Sequence, residues 1–205
     1  MLTKAEAQII TNAGIKIISV YETTADRCKG GSLNGTVDGK LALQCAQNVG
    51  QTLGTAIYPC ADFEASPSDM AAIQAYVNAF AAQIVGYGPG IYGSFATVEA
   101  MRGIAKYFYQ TIAWSHGQKS TLANVYQSDC GADGNGLTMH GIGVDLDDIL
   151  GNEGSWDCNM IPVIEANKII STIHDQYNAA VNQEQKDELH RQANYLRLLS
   201  GQPLQ

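Results

Sequence analysis

The chain has 205 residues, 45% of them hydrophobic and 16% charged, a balance ordinary for one globular domain with a sizeable core. A formal net charge of -8 and the lack of any Lys/Arg-rich run exclude the electrostatic footprint of a nucleic-acid binder, and make an anionic membrane surface an equally poor partner. No apolar stretch reaches the ~18–20 residues that would span a bilayer.

The opening segment MLTKAEAQIITNAG is broken by Glu6, Gln8 and Asn12. It reads as a short amphipathic helix stopping at Gly14, without the continuous apolar region of a signal peptide. A cytoplasmic chain, release by lysis, or a leader outside this sequence all stay open; an extracellular or cell-wall location is the expectation. IKIISVYE (15–22) reads as a strand, and DGKLALQCAQNVG (38–50) as a helix ending at a glycine. TAIYPCADFE (55–64) reads as a buried strand, in which Pro59 removes a ladder donor and predicts a bulge or a sheet edge. SPSDMAAIQAYVNAFAAQIVG (66–86) predicts a helix with Ser66 as N-cap and Pro67 at its first position. GIYGSF (90–95), YFYQTIAW (107–114), NVYQSD (124–129) and IGVDLDD (142–148) read as further strands, with a short helix in TVEAMRGIAK (97–106).

After residue 150 the pattern changes. Ile169, Ile170, Ile173, Tyr177 and Val181 recur at helical spacing. Asn182 then caps a second helix carrying Leu189, Ala193 and Leu196 on one stripe, ended by Gly201 and Pro203. The expected organisation is a (β/α)-barrel-like domain over 1–160, with 161–205 forming helices that pack on it.

The alternation of strands and helices predicts parallel strands with crossover helices. No Gly-rich phosphate loop follows the first strand, which disfavours a nucleotide-binding sheet. Acidic and polar residues gather instead at strand C-terminal ends, where barrel active sites lie. Six strands cannot close an eight-stranded barrel. The fold expected is therefore a TIM (β/α)-barrel-like one lacking its first two strands. Its open edge at 15–22 could pair with a second copy to give a homo-oligomer.

Glu22, Asp62, Glu64, Asp145 and Asp147 fall at strand ends in this reading. Asp62 and Glu64 are two apart, a spacing that on a strand turns both acids to one face. Asp145 and Asp147 repeat it. Tyr21, Tyr92, Trp114, Tyr126 and Gln127 accompany them. Carboxylates walled by aromatic rings suit a sugar polymer, whose ring faces stack on aromatics while the acids protonate the leaving oxygen and steady an oxocarbenium-like charge. Solvated strand ends, helix capping by Asp145, and core packing of Tyr92 and Trp114 are the plainer alternatives.

The five cysteines show no CxxC spacing and predict no structural zinc site. Cys60 reads as an interior thiol; surface disulfides, for example between Cys130 and Cys158, stay open. His116 reads as a turn residue. DCGADGNG (129–136) lacks the final acid of a calcium loop and reads as a glycine-rich turn. No cofactor and no metal are expected.

TAIYPCADFEAS, GPGIYGSF, YFYQTIAWSHG, NVYQSD and GIGVDLDDILG occur in the order of a glycoside-hydrolase-like TIM-barrel family, a domain of unknown function. Roughly residues 1 to 155 resemble that family, which is related to the glycoside hydrolase family 25 lysozymes of bacteria and phages. The resemblance implies Glu64 as general acid, Asp62 as its partner carboxylate and Asp145 as the acid of the last strand, with Gln127 and Trp114 in the cleft. The lysozymes carry a further acid on a first strand that has no counterpart here. Asp62, ionised beside Glu64, is expected to raise the proton affinity of Glu64. The function implied is cleavage of a cell-wall amino-sugar polymer such as peptidoglycan. The alternatives are a glycan-binding module that has lost catalysis and, more weakly, a divalent-metal hydrolase, which a chelator would inhibit.

Overall fold

The computed structural model describes residues 1–205 apart from 131–136, 160, 162 and 201. Its strands run in chain order β1 (Ser19–Tyr21), β2 (Ala56–Pro59), β3 (Gly88–Gly93), β4 (Tyr107–Thr111) and β5 (Val125–Asp129), then a hairpin of β6 (Leu137–Met139) and β7 (Ile142–Val144), and finally β8 (Leu146–Ile149). The helices are α1 (Lys4–Asn12), α2 (Gly31–Val49), α3 (Met70–Ala81), α4 (Phe95–Ala100), α5 (Val163–Ala179) and α6 (Gln183–Leu199). They fall into two units: Ile18–Val49 with Thr55–Ser155, and Met1–Ile17 with Gly50–Gly54 and Trp156–Gln205.

The larger unit is a mixed α/β structure on a six-stranded sheet ordered β1-β2-β3-β4-β5-β8. The first five strands are parallel, as the βαβ rhythm predicts; β8 is antiparallel to β5. The predicted strand 142–148 is thus two strands: β7 closes a hairpin with β6, and β8 joins the sheet in the reverse direction. A parallel return needs a crossover of a dozen or more residues, usually helical. The described residues between β5 and β8 hold a hairpin instead.

Side chains alternate across the sheet. Ile57, Ile91 and Phe108 point to one face and join Ala42, Ala46, Ile73, Val77 and Phe80 of α2 and α3 in the main core. Ala56, Tyr58, Tyr107, Tyr109 and Val125 point to the other, with Ile18 and Tyr92 beside them. On that face β3 offers only Gly88 and Gly90 below Tyr92. The ring of Tyr58 on β2 crosses the gap to lie 6.3 Å from Tyr107 and 6.0 Å from Tyr109 on β4. A Cβ at Gly90 would stand 2.4 Å from the Tyr58 ring. The missing side chains let the sheet curl toward this face, which is its inner one, as a half-barrel.

Pro59 lies neither at an edge nor in a bulge. Tyr21 pairs with it from β1, and β3 flanks β2 on the other side. Its missing N–H shows in the β2–β3 ladder, which pairs Ala56 with Gly88 and Ile57 with Pro89, then resumes only at the Cys60–Tyr92 bridge.

Two helices depart from their predicted starts. α2 begins at Gly31, well before the periodic stretch, because Gly35 and Gly39 press against the backbone of α3: a Cβ at Gly35 would meet the Tyr76 carbonyl at 2.2 Å. On the same helix Asp38, 1% exposed, takes Arg27 through both carboxylate oxygens and accepts the Tyr76 hydroxyl at 2.9 Å. α3 begins at Met70 rather than Pro67. Asp69 holds the preceding turn by accepting both the N–H and the hydroxyl of Ser66, at 2.8 and 2.6 Å.

In the smaller unit, α1 opens on a capping box between Thr3 and Glu6. Ile17 and Trp156 exchange backbone hydrogen bonds of 2.8 and 2.9 Å, and the Thr52 hydroxyl reaches the Asp157 carbonyl. α5 and α6 form the predicted helical hairpin, with Asn182 accepting the Gln185 N–H at 2.9 Å. Of the expected helix end at 201–203, Gly201 lies outside the described residues. All five cysteines are free thiols; Cys28 and Cys60 are buried, and burial pushes the Cys28 thiol up to about 12. Among the described residues no helix is long and apolar enough to cross a membrane.

Candidate functional site

The parallel strands deliver their C-terminal ends to one side of the inner face. Tyr92 comes from the end of β3, Thr111 from the end of β4 and Gln127 from β5. Asp145 arrives by the opposite route. It immediately precedes β8, and an antiparallel strand begins where its parallel neighbours finish.

Gln127 joins these groups. It is 6% exposed, and its Oε1 accepts the hydroxyls of Tyr92 (3.0 Å) and Thr111 (2.6 Å). Its Nε2 therefore faces the other way and donates to Asp145 Oδ2 at 2.8 Å. The amide is largely used within the protein, so its part in the site is to hold Asp145 rather than to reach outward. One residue pair along, Asp147 sits opposite Gln127 in the ladder and accepts the Tyr109 hydroxyl at 2.7 Å. Partial burial lifts the Asp147 carboxyl above its ordinary range; the Tyr109 bond works against this, and Asp145 and Asp148 add to it.

At the other side of the inner face stand Asp62 and Glu22. The Asp62 N–H donates to the Ala25 carbonyl at 3.0 Å, tying the loop after β2 to the loop after β1. The Glu22 carboxyl is raised, first by partial burial and then by Asp62. Between the two groups of acids, the Tyr92 hydroxyl is held well above its ordinary range by burial, with Asp62, Cys60 and Asp145 contributing; the Thr111 bond opposes the shift. Tyr92 thus feels both Asp62 and Asp145.

Glu64 is not brought into this group. Its side chain is 66% exposed, and its Oε1 lies 3.5 Å from His116 Nε2. The two-residue spacing orients side chains only along a strand, and here pairing ends with β2 and the single bridge at Cys60. Asp62 and Glu64 occupy a loop, where alternation no longer governs. Tyr21 is also absent from this surface. It turns to the helix-covered face, with its ring 5.9 Å from that of Phe80.

Trp114 lies half-buried in the turn after β4, at a φ of 55°, with His116 at 49°. A bulky residue in the left-handed region is strained, and such strain persists only where its surroundings enforce it. Here Ser115 and Gln110 do so. The Ser115 hydroxyl binds the Thr111 carbonyl and accepts the Phe95 N–H; the buried Gln110 amide binds the Gln118 carbonyl and the Ser120 N–H. Tyr109 and Thr111 were legible only as strand residues, although alternation in YFYQT places Tyr107, Tyr109 and Thr111 on one face.

Among the described residues no three His, Cys, Asp or Glu side chains meet in a metal-ligating group. The glycine-rich turn read in 129–136 lies largely outside the described residues.

A curled sheet of parallel strands, with acids and tyrosines at the strand ends, defines a glycoside hydrolase-like domain. The model of the Rv2525c-like, glycoside hydrolase-like domain family matches residues 1–148, and the chain belongs to that family. Two crystal structures of the Mycobacterium tuberculosis Tat-secreted protein Rv2525c, one with L-tartrate and one with HEPES, are similar to this chain at 23% identity, with TM-scores of 0.66 and 0.64. Each match covers 75% of this chain, and 78% and 77% of theirs. An uncharacterized B. stearothermophilus protein matches at 21% identity with a TM-score of 0.52, over 72% of this chain and 76% of its own. No curated protein matches the chain.

Proposed function

We propose that the inner face cleaves a β-linked amino-sugar polymer, with peptidoglycan as the substrate, in the manner of the family 25 lysozymes. One observation carries this reading: acids approach Tyr92 from two directions, Asp145 through Gln127, which binds both it and the Tyr92 hydroxyl, and Asp62 two residues after Cys60, which bridges to Tyr92. Two carboxylates flanking a common point are what glycoside hydrolysis needs, one side for proton donation and the other for the electron-poor sugar. Tyr92 and Trp114 offer ring surface to sugar faces, and Gln127 holds Asp145 in place. Rv2525c is a Tat-secreted protein, and secretion toward the cell wall is the matching location proposed for this chain.

The test is release of reducing ends when the purified protein is incubated with peptidoglycan or chitin-type oligomers. Release by the wild type and its loss in Asp62→Asn and Asp145→Asn supports hydrolysis. A second reading, glycan binding without cleavage, is favoured by the outward position of Glu64, which the resemblance would make the general acid. Retention of these polymers with no reducing ends formed would select it.

A further inference from the structure

We infer that Glu22, rather than Glu64, is the residue that hands a proton to the leaving glycosidic oxygen, with Asp62 as its neighbour; this rests on the hydrolytic reading above. The parallel register sets Tyr21 against Pro59, so Glu22 and Cys60 leave the sheet side by side. Tyr21, the last residue of β1, faces the helices; Glu22 follows it where the strand ends, close enough to act on Cys60, which bridges to Tyr92. The Asp62 N–H···O=C Ala25 bond then folds the two loops together around Glu22. Glu22 and Glu64 are both open to solvent, but Glu64 turns to His116 at 3.5 Å and stands apart from the acids around Tyr92.

The surroundings also favour the protonated form of Glu22. Its carboxyl is raised by partial burial and by Asp62. The other titratable group it faces, Cys60, is kept neutral by burial. Substrate covering the inner face would remove further water and strengthen the same bias.

In the step proposed, the Glu22 proton passes to the glycosidic oxygen as the bond to the anomeric carbon breaks. That oxygen keeps the bonding electron pair and departs as an alcohol. The anomeric carbon takes an oxygen from water, whose proton passes to a site carboxylate and on to solvent. Glu22 is reprotonated from solvent, so one water is consumed for each bond cleaved.

The experiment compares E22Q and E64Q on two substrates: chitin-type oligomers, whose leaving oxygen needs a proton, and a nitrophenyl chito-oligosaccharide, whose leaving group does not. E22Q should lose about 10²–10⁴-fold on the oligomers and far less on the nitrophenyl glycoside. For E64Q any loss should be the same on both. Equal losses for E22Q on the two substrates, or a leaving-group-dependent loss in E64Q alone, would overturn the assignment.

A wild type that hydrolyses neither substrate overturns the functional reading, and the state of Glu22 is then read directly. With ¹³C-labelled glutamate, the carboxyl resonance that disappears in E22Q should titrate above those of the other glutamates, and its midpoint should fall in Asp62→Asn. A midpoint among the other glutamates, or one unmoved by Asp62→Asn, would overturn the inference on its own.

Discussion

Gln127 shows how one side chain can determine the orientation of several others. Two hydroxyls occupy its oxygen, and this aims its nitrogen at Asp145. Gln127→Leu would leave the buried Thr111 and the half-buried Tyr92 hydroxyls without their acceptor. An unsatisfied buried group costs roughly 1–3 kcal/mol, and urea unfolding should record a loss of that order. Gln127→Glu keeps an acceptor for both hydroxyls but sets oxygen against oxygen at Asp145. It should therefore lower reducing-end release more than it lowers stability, which assays run side by side would show. Asp147 gives a prediction in pH. Its native carboxyl holds a proton more tightly than the ordinary value of 3.8 implies. Stability is therefore lost as pH rises from the unfolded value through the higher native one, and below both values the difference vanishes. Asp147→Asn still offers an oxygen to Tyr109 and no longer ionises. Relative to wild type, it should gain stability at neutral pH and show no such gain below about pH 3.8, measured by urea unfolding at the two pH values.

Among the elements, the pairing of α2 with α3 depends on two glycines four residues apart. A Cβ at Gly39 would stand 2.7 Å from the Phe80 carbonyl, and at Gly35 the clash is closer still. The obstacle in each case is backbone, which cannot rotate away. Gly35→Ala improves helix propensity but should destabilise the protein by about 1–3 kcal/mol, as overpacking does; thermal unfolding with circular dichroism would register it. The same glycines explain why the sequence hid the start of α2. Glycine is a poor helix former, and the apolar pair Leu33 and Val37 stays exposed while Gly35, Asp38 and Gly39 form the buried face, so tertiary packing overrides local preference. Where local chemistry was sufficient, the sequence was legible: the Asn182 cap, the α5 helix and the five parallel strand cores were visible in it, although of the predicted stripe Ile169 and Val181 are exposed and Val181 lies beyond the helix. The reversal of β8 was not, because an apolar run with alternating acids reads the same in either direction. Direction depends on the connection before it. The candidate site was legible to a similar degree. Asp62 and Asp145 could be read from strand ends, while the displacement of Glu64 depended on where pairing stopped, two residues before Asp62.

For the whole molecule, the smaller unit gathers segments from three places in the chain. Trp156 is fully buried, and its backbone closes a bridge with Ile17. Trp156→Ala should cost about 3–5 kcal/mol, the usual range for emptying such a site, with the loss read from denaturant midpoints. The order in which a ribosome delivers these pieces has its own effect. Thr52 finds the Asp157 carbonyl 105 residues later. At about 5–20 residues per second, that wait lasts roughly 5–20 s. By its end all the sheet strands have been made, while α1 and residues 50–54 still have nothing to close on. The nascent chain thus passes through a stage with one half assembled and the other necessarily open. A chain ending at residue 155 and released from the ribosome should yield a protease-resistant fragment that begins after Ile17.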